Sequence, residues 1–166
     1  MVKPTARQSV AGLLVTAAVL VSLAQSEWFV DKAMIPVPGD VPTIGFGRTE
    51  GVKLGDTTEP VREMVFLLNN LENKYAAGIR KCIKVPLHQH EFDGLVETAY
   101  NAGVGATCRE VAPHFNAAMT DADYTASCNF IKTWRVTVNG KSCFDRKNNC
   151  YGLISRRMKD ATTCLG

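Results

Sequence analysis

Three residues in the first third of the chain could do acid–base chemistry together: Glu27, Asp40 and Thr43. Glu27 directly follows nineteen uncharged residues, "QSVAGLLVTAAVLVSLAQS" (8–26). Asp40 stands in a Pro-Gly-Asp turn, and Thr43 opens the stretch "TIGFG". One carboxyl against apolar surface and a second in a polar turn are the equipment of glycoside hydrolysis. The first protonates the leaving oxygen; the second works on water or on the developing cation. A nearby hydroxyl can hold that water. Asp31 is a rival for the second position, on the same face as Glu27 if residues 26–34 continue as a short helix. On spacing alone a plainer reading competes, with Glu27 an interfacial residue and Asp40 a turn residue.

These residues must be positioned by a chain of 166 residues, long enough for one domain with a real core. The net charge of +3 is mild and evenly spread, which argues against nucleic acid as a partner. Six cysteines, Cys82, Cys108, Cys128, Cys143, Cys150 and Cys164, lie in the second half without metal-type spacing. An even set of this kind implies three disulfides and an oxidising compartment. Loop bracketing suggests Cys143–Cys150, Cys108–Cys128 and Cys82–Cys164, the last closing the largest loop. His88, His90 and His114 read as surface or helix-end residues, and no metal or cofactor is expected.

Lys3 and Arg7 precede the uncharged stretch, so a helix over 8–26 would hold the N-terminus in the cytoplasm and export the rest. Such a helix just spans a bilayer, although its Ala, Gly, Ser and Thr content makes it weakly hydrophobic. Cleavage after Ser22-Leu23-Ala24 is the alternative, and would leave Glu27 in a frayed end. The expected division is an anchor over 1–26 and a catalytic domain over 27–166.

Residues 36–57, dense in Gly and Pro, predict a small hairpin region. Thr57 or Thr58 then caps a long helix running to about Cys82, with Glu59 and Pro60 in its first turn. Helices follow over 88–103, near 108–118, over 121–134 and over 152–164, with a polar loop at 138–150. The class is α+β, mainly α, with a small β-hairpin lobe and a helical lobe joined by the long helix. Arg156 and Arg157 read as a solvated face or an interlobe ion pair, and Trp28 as an interfacial aromatic.

Three ordered motifs carry a resemblance: "PTIGFG" (42–47) after a Gly-Asp turn, "HQHEFDGLVETAYNAGVGATC" (88–108) and "NNCYGLISRRMKDATTCL" (148–165). Together they resemble the phage-type lysozymes of glycoside hydrolase family 24, over roughly residues 26–165. The resemblance implies a lysozyme-like fold behind an N-terminal membrane-anchor helix, bacterial peptidoglycan as substrate, and action as a monomer. It also implies hydrolysis of the β-1,4 bond between N-acetylmuramic acid and N-acetylglucosamine, in order to lyse the host. The family pattern is Glu-x8-Asp-x5-Thr. Glu27 and Thr43 match its ends, but Val37 falls where the aspartate belongs, and the Glu27-to-Thr43 interval is one residue longer. Asp40 is then the expected substitute. Arg48, where some relatives carry histidine, is expected to be structural.

The placement of Glu27 against residues 8–26 is similar to endolysins with a signal-anchor-release segment. That resemblance implies tethering to the host inner membrane and activation on release into the periplasm. Two other readings use the same residues differently: a lytic transglycosylase relying on Glu27 alone, and a wall-binding module needing neither carboxylate.

Overall fold

The uncharged N-terminal stretch does not form one continuous helix in the computed structural model, which describes residues 6–166. Gln8 pairs with Leu87 as a β-bridge, Val10–Gly12 makes a 3-10 turn, and an extended link leads to α1, Ala17–Ser26. The Thr16 hydroxyl starts α1 by accepting the Val19 N–H, which has no partner inside the helix. Ser9, Gly12 and the β-branched pair Val15-Thr16 all weaken a helix before that point. Among the described residues no helix is long and apolar enough to cross a membrane.

The chain divides into two compact units, residues 15–74 and residues 6–14 with 75–166. The smaller unit holds α1, β1 (Val30–Met34), β2 (Thr43–Gly45) and α2 (Pro60–Asn70). The short helix expected over 26–34 is absent: Glu27 ends α1 in extended backbone, and β1 follows. Tertiary pairing explains this. β1 pairs antiparallel with β2, and its other edge bonds to residues 56–58, with Ala33 N–H to Asp56 O at 2.9 Å and Thr58 N–H to Asp31 O at 2.8 Å. Ala33, Ile44 and Val52 form a small core between these segments.

The expected long helix is present as a continuous helical run from Pro60 to Cys82. It comprises α2, a π-helical stretch at Leu71–Ala76 and α3, Ala77–Cys82. Glu59, not Thr57 or Thr58, is its N-cap, with Pro60 at the first helical position, where its missing N–H costs nothing.

The larger unit is built around α4, Gln89–Ala102, in which every residue from Glu91 to Ala99 is buried. Around it lie α5 (Val104–Glu110), α6 (Ala112–Asn116), α7 (Asp121–Ile131) and α8 (Tyr151–Leu165). α4 and α8 approach closely at Gly94, where an added Cβ would lie 2.6 Å from Cys164 Cα and 2.7 Å from its nitrogen. The 138–150 loop contains a two-residue hairpin, β3 (Thr137–Val138) with β4 (Lys141–Ser142), and a 3-10 turn at Arg146–Asn148.

All six cysteines are paired, but two of the expected bridges are wrong. Cys82 pairs with Cys108 and Cys128 with Cys164; only Cys143–Cys150 matches the expectation. The cause is helix packing rather than loop length. α3 lies against α5 and α7 against α8, which brings those Cα atoms to 5.6 and 5.5 Å. The largest closed loop then spans a separation of 36 residues. By the chain-entropy model such a loop contributes roughly 4 kcal/mol.

Candidate active site

Every residue proposed for acid–base chemistry lies in the smaller unit. Val19 and Leu23 bury one face of α1, and the Glu27 N–H closes that helix on Leu23 O at 3.0 Å. Glu27 is half-buried at the junction of α1 and β1, while Trp28 beside it is 89% exposed. The next residue, Phe29, packs on Phe46 of the "TIGFG" stretch with ring centroids 5.2 Å apart. This contact sets the Glu27–Phe29 link against the glycine-rich turn.

That turn is tight. Ile44 and Arg48 exchange both backbone hydrogen bonds at 2.9 Å, and the two glycines between them take positive φ, +63° at Gly45 and +81° at Gly47. Only glycine does this without strain. Gly45 has a second reason to lack a side chain: an added Cβ would fall 2.3 Å from Glu63 Cγ.

Glu63 is the residue that sequence reasoning missed. It is buried in the first turn of α2 and accepts a fork from Arg48, with Nε to Oε2 at 2.8 Å and Nη2 to Oε1 at 2.7 Å. The Thr58 hydroxyl donates to Oε1 at 2.7 Å, and the Arg48 guanidinium lies 4.4 Å from the Phe66 ring centre. The Arg48 hydrogen bonds hold the Glu63 carboxyl below its ordinary range, against the cost of burial. Arg48 therefore has the structural role expected of it. The readable signal was an acidic residue one helical turn before Phe66, on a face that otherwise reads as apolar.

Thr43 pairs with Met34 across the hairpin and donates its hydroxyl to Val41 O at 3.2 Å. At the other end Val30 pairs with Gly45, so four steps along β1 are matched by two along β2. This irregularity compresses β1, keeping the Thr43 and Gly45 ends within about 7 Å along the strand. The loop between the strands carries Val37 and Asp40, both exposed. Asp40 closes a turn, its N–H donating to Val37 O at 3.0 Å and its carboxylate accepting the Val41 N–H at 2.8 Å. Asp31 is an exposed residue of β1.

In the larger unit, the His88, His90 and His114 rings meet neighbours: His88 stacks on His90, and His114 on Phe130. Among the described residues no group of His, Cys, Asp or Glu could hold a metal ion. Arg157 is not on a solvated face. It is buried and paired with Asp160 at 2.5 Å within α8.

Residues 24–160 match the family model described as Phage lysozyme. The chain belongs to the phage lysozyme family. It is 31% identical over 150 residues to the SAR-endolysin of Pseudomonas phage phiKMV, covering 90% of this chain and 87% of the relative. It also resembles the solved endolysin from Escherichia coli O157:H7 phage FAHEc1, with a TM-score of 0.74 and 29% identity over 93% of this chain and 94% of that one. The muramidase domain of SpmX from Asticaccaulis excentricus shares the fold alone, with a TM-score of 0.75 at 20% identity over 93% and 99% of the two chains. The protein is a lysozyme, a peptidoglycan hydrolase with a mainly helical lysozyme-like fold and small two-stranded sheets.

Proposed function

We propose that this lysozyme is an N-acetylmuramidase that cleaves the β-1,4 bond between N-acetylmuramic acid and N-acetylglucosamine and lyses the phage's host. Glu27 gives its proton to the glycosidic oxygen as the bond breaks. Asp40 activates the incoming water or stabilises the oxocarbenium-like transition state. Thr43 orients that water. The water's oxygen ends on the anomeric carbon, and the proton it loses restores the acid–base pair.

One observation carries this reading: the Phe29–Phe46 contact and the β1–β2 pairing hold the Glu27 junction against the "TIGFG" stretch that carries Thr43. Asp40 is favoured over Asp31 because it lies in the rebuilt loop that also contains Val37, the position that carries aspartate in the family pattern. The test is turbidity loss of outer-membrane-permeabilised cells with purified oxidised enzyme. Glu27→Gln and Asp40→Asn should abolish lysis with folding intact, and Asp31→Asn should not. An active Glu27→Gln would sink the assignment; an active Asp40→Asn would move the second role elsewhere. Mass analysis of the digest separates hydrolysis from transglycosylation, which leaves anhydro-sugar ends.

Residues 8–26 serve in this proposal as a membrane anchor before release, with the N-terminus cytoplasmic and the catalytic part periplasmic. The SAR-endolysin relatives and the flanking Lys3 and Arg7 support it. The fold supplies a physical coupling. Val19 and Leu23 are 1% and 2% exposed in the folded unit, so α1 cannot sit in lipid and also hold Glu27 in place. Gly12, Ala17 and Ala18 are exposed, so leucines there add membrane affinity without entering the core. The triple variant should insert normally and stay tethered, delaying lysis; prompt lysis would count against release.

A further inference from the structure

Arg7 is the last charge before the uncharged stretch, and the folded chain gives it a built receptor. Its Nε lies 3.0 Å from Glu91 Oε2 and its Nη2 2.7 Å from Oε1, a two-pronged pairing with a carboxylate whose side chain is only 3% exposed. Nη1 pairs with Asp121. The guanidinium carbon stands 3.6 Å from the Tyr124 ring centre, over its face. Planar fork, second carboxylate and aromatic face together select arginine over lysine.

The residues after Arg7 are held in the same unit. Gln8 and Leu87 exchange backbone hydrogen bonds at 2.8 Å in both directions. Val10 and Leu13 are buried. The Arg80 guanidinium donates to Leu13 O, with Nε at 3.2 Å, and the Gln89 amide donates to Leu14 O at 2.9 Å. Glu91 also accepts the His88 N–H at 2.7 Å, closing a capping box on α4. Asp121 lies in the first turn of α7, whose cap is made by Thr120 and Asp123.

We propose that Glu91, Asp121 and Tyr124 are a docking site for Arg7 that catches the N-terminal segment once it has left the membrane and keeps it from returning. This rests on the anchor reading above. Arg7 then has two successive jobs. In the tethered chain its charge helps hold the N-terminus in the cytoplasm. In the released chain the same guanidinium seals residues 7–14 onto the helical unit. Going back would strip a desolvated, fork-bonded arginine from a buried carboxylate and leave that carboxylate without its cation.

The decisive variant is Arg7→Lys in the full chain. It keeps the positive charge, so insertion and orientation should be unchanged, but it loses the fork and the stacked face. Two measurements are made on it. In cells, membrane and soluble fractions are followed after an uncoupler collapses the membrane potential. Wild type should move to the soluble fraction, and Arg7→Lys should start equally membrane-bound yet accumulate there at least threefold less. On the purified soluble proteins, hydrogen exchange over residues 8–14 should be at least tenfold faster in Arg7→Lys, with α4 protection unchanged. Normal release together with unchanged exchange overturns the catch while leaving the anchor intact. Wild type missing from the membrane fraction before uncoupling overturns the anchor, and the catch with it. Accelerated exchange throughout the domain also overturns the proposal, because Arg7 would then be a general stability contact.

Discussion

Two buried arginine–carboxylate pairs, Arg48–Glu63 in the smaller unit and Arg157–Asp160 in the larger, behave in opposite ways. In the smaller unit Glu63 accepts two hydrogen bonds from Arg48 and a third from Thr58, and Arg48 keeps 22% of its side chain exposed. In the larger unit Arg157 and Asp160 are 3% and 1% exposed. Asp160 accepts one bond from Arg157 and one from the Asn101 amide at 2.8 Å, and Arg157 Nε is buried with no partner among the described residues. Glu63 is held below its ordinary 4.5 by its hydrogen bonds to Arg48. Asp160 is pushed up to about 7 by burial, with Glu97 adding to the rise and Arg157 and Asn101 opposing it. Burial also pulls Arg157 down. Both carboxylates have an arginine beside them; at Glu63 the hydrogen bonds from Arg48 outweigh burial, and at Asp160 burial outweighs them.

The comparison breaks most sharply at Glu63. Glu63→Ala removes three hydrogen bonds and leaves Arg48 beside an apolar gap. It should cost about 3 kcal/mol, read as a lower urea midpoint with an unchanged slope. The same change frees the Gly45–Arg48 turn, so lytic activity should fall beyond what the unfolded fraction explains. Retained stability and activity would mean that the pair is incidental to the hairpin. Arg48→Lys is the milder cut. It keeps the charge but loses the fork and the Phe66 face, and should cost about 1 kcal/mol with activity largely kept. A loss as large as that of Glu63→Ala would show that geometry, not charge, holds the turn.

Much of this architecture was legible in the sequence, for physical reasons that also mark where reading stopped. The helix from Pro60 and the helix ending at Gly103 follow from apolar spacing, a proline at the first turn and a glycine stop. The Gly- and Pro-dense stretch 36–57 announced a hairpin region, but not the tight turn that Gly45 and Gly47 make within it. β1 was not readable, because its strand character comes from partners on both edges that lie outside the local window. The disulfides failed for the same reason: helix packing, not loop bracketing, chooses which sulfurs meet. Arg157 read as part of a solvated face or an interlobe ion pair because charged residues are usually exposed, and nothing local to "RRMKD" (156–160) announces burial beside Asp160 of the same helix. Among the residues proposed for the chemistry, Glu27 and Thr43 match the ends of the family pattern, whereas the proposed partner Asp40 stands off that pattern, in the loop that carries Val37. Arg7 read only as a topological charge, since Glu91 and Asp121 lie far along the chain and their convergence is a tertiary fact.

The Arg157–Asp160 pair gives the smallest effect at neutral pH and the clearest dependence on pH. An acid that holds its proton more tightly when folded loses stability as pH rises. Between Asp160's ordinary 3.8 and its folded value of about 7 the native state binds the extra proton, so stability should fall through that window and level off above it. Glu63 works with the opposite sign: its contribution is full above 4.5 and is lost only as pH falls below that. Together they place the maximum of Tm near the low end of the Asp160 window, at about pH 5. Asp160→Asn resembles the protonated acid in shape and charge. It should change Tm little at pH 5, flatten the decline towards pH 8 and leave lytic activity untouched. A variant less stable than wild type at pH 8 would show that the ionised Asp160 is a net asset to Arg157, and the contrast between the two pairs would then be one of degree rather than of sign.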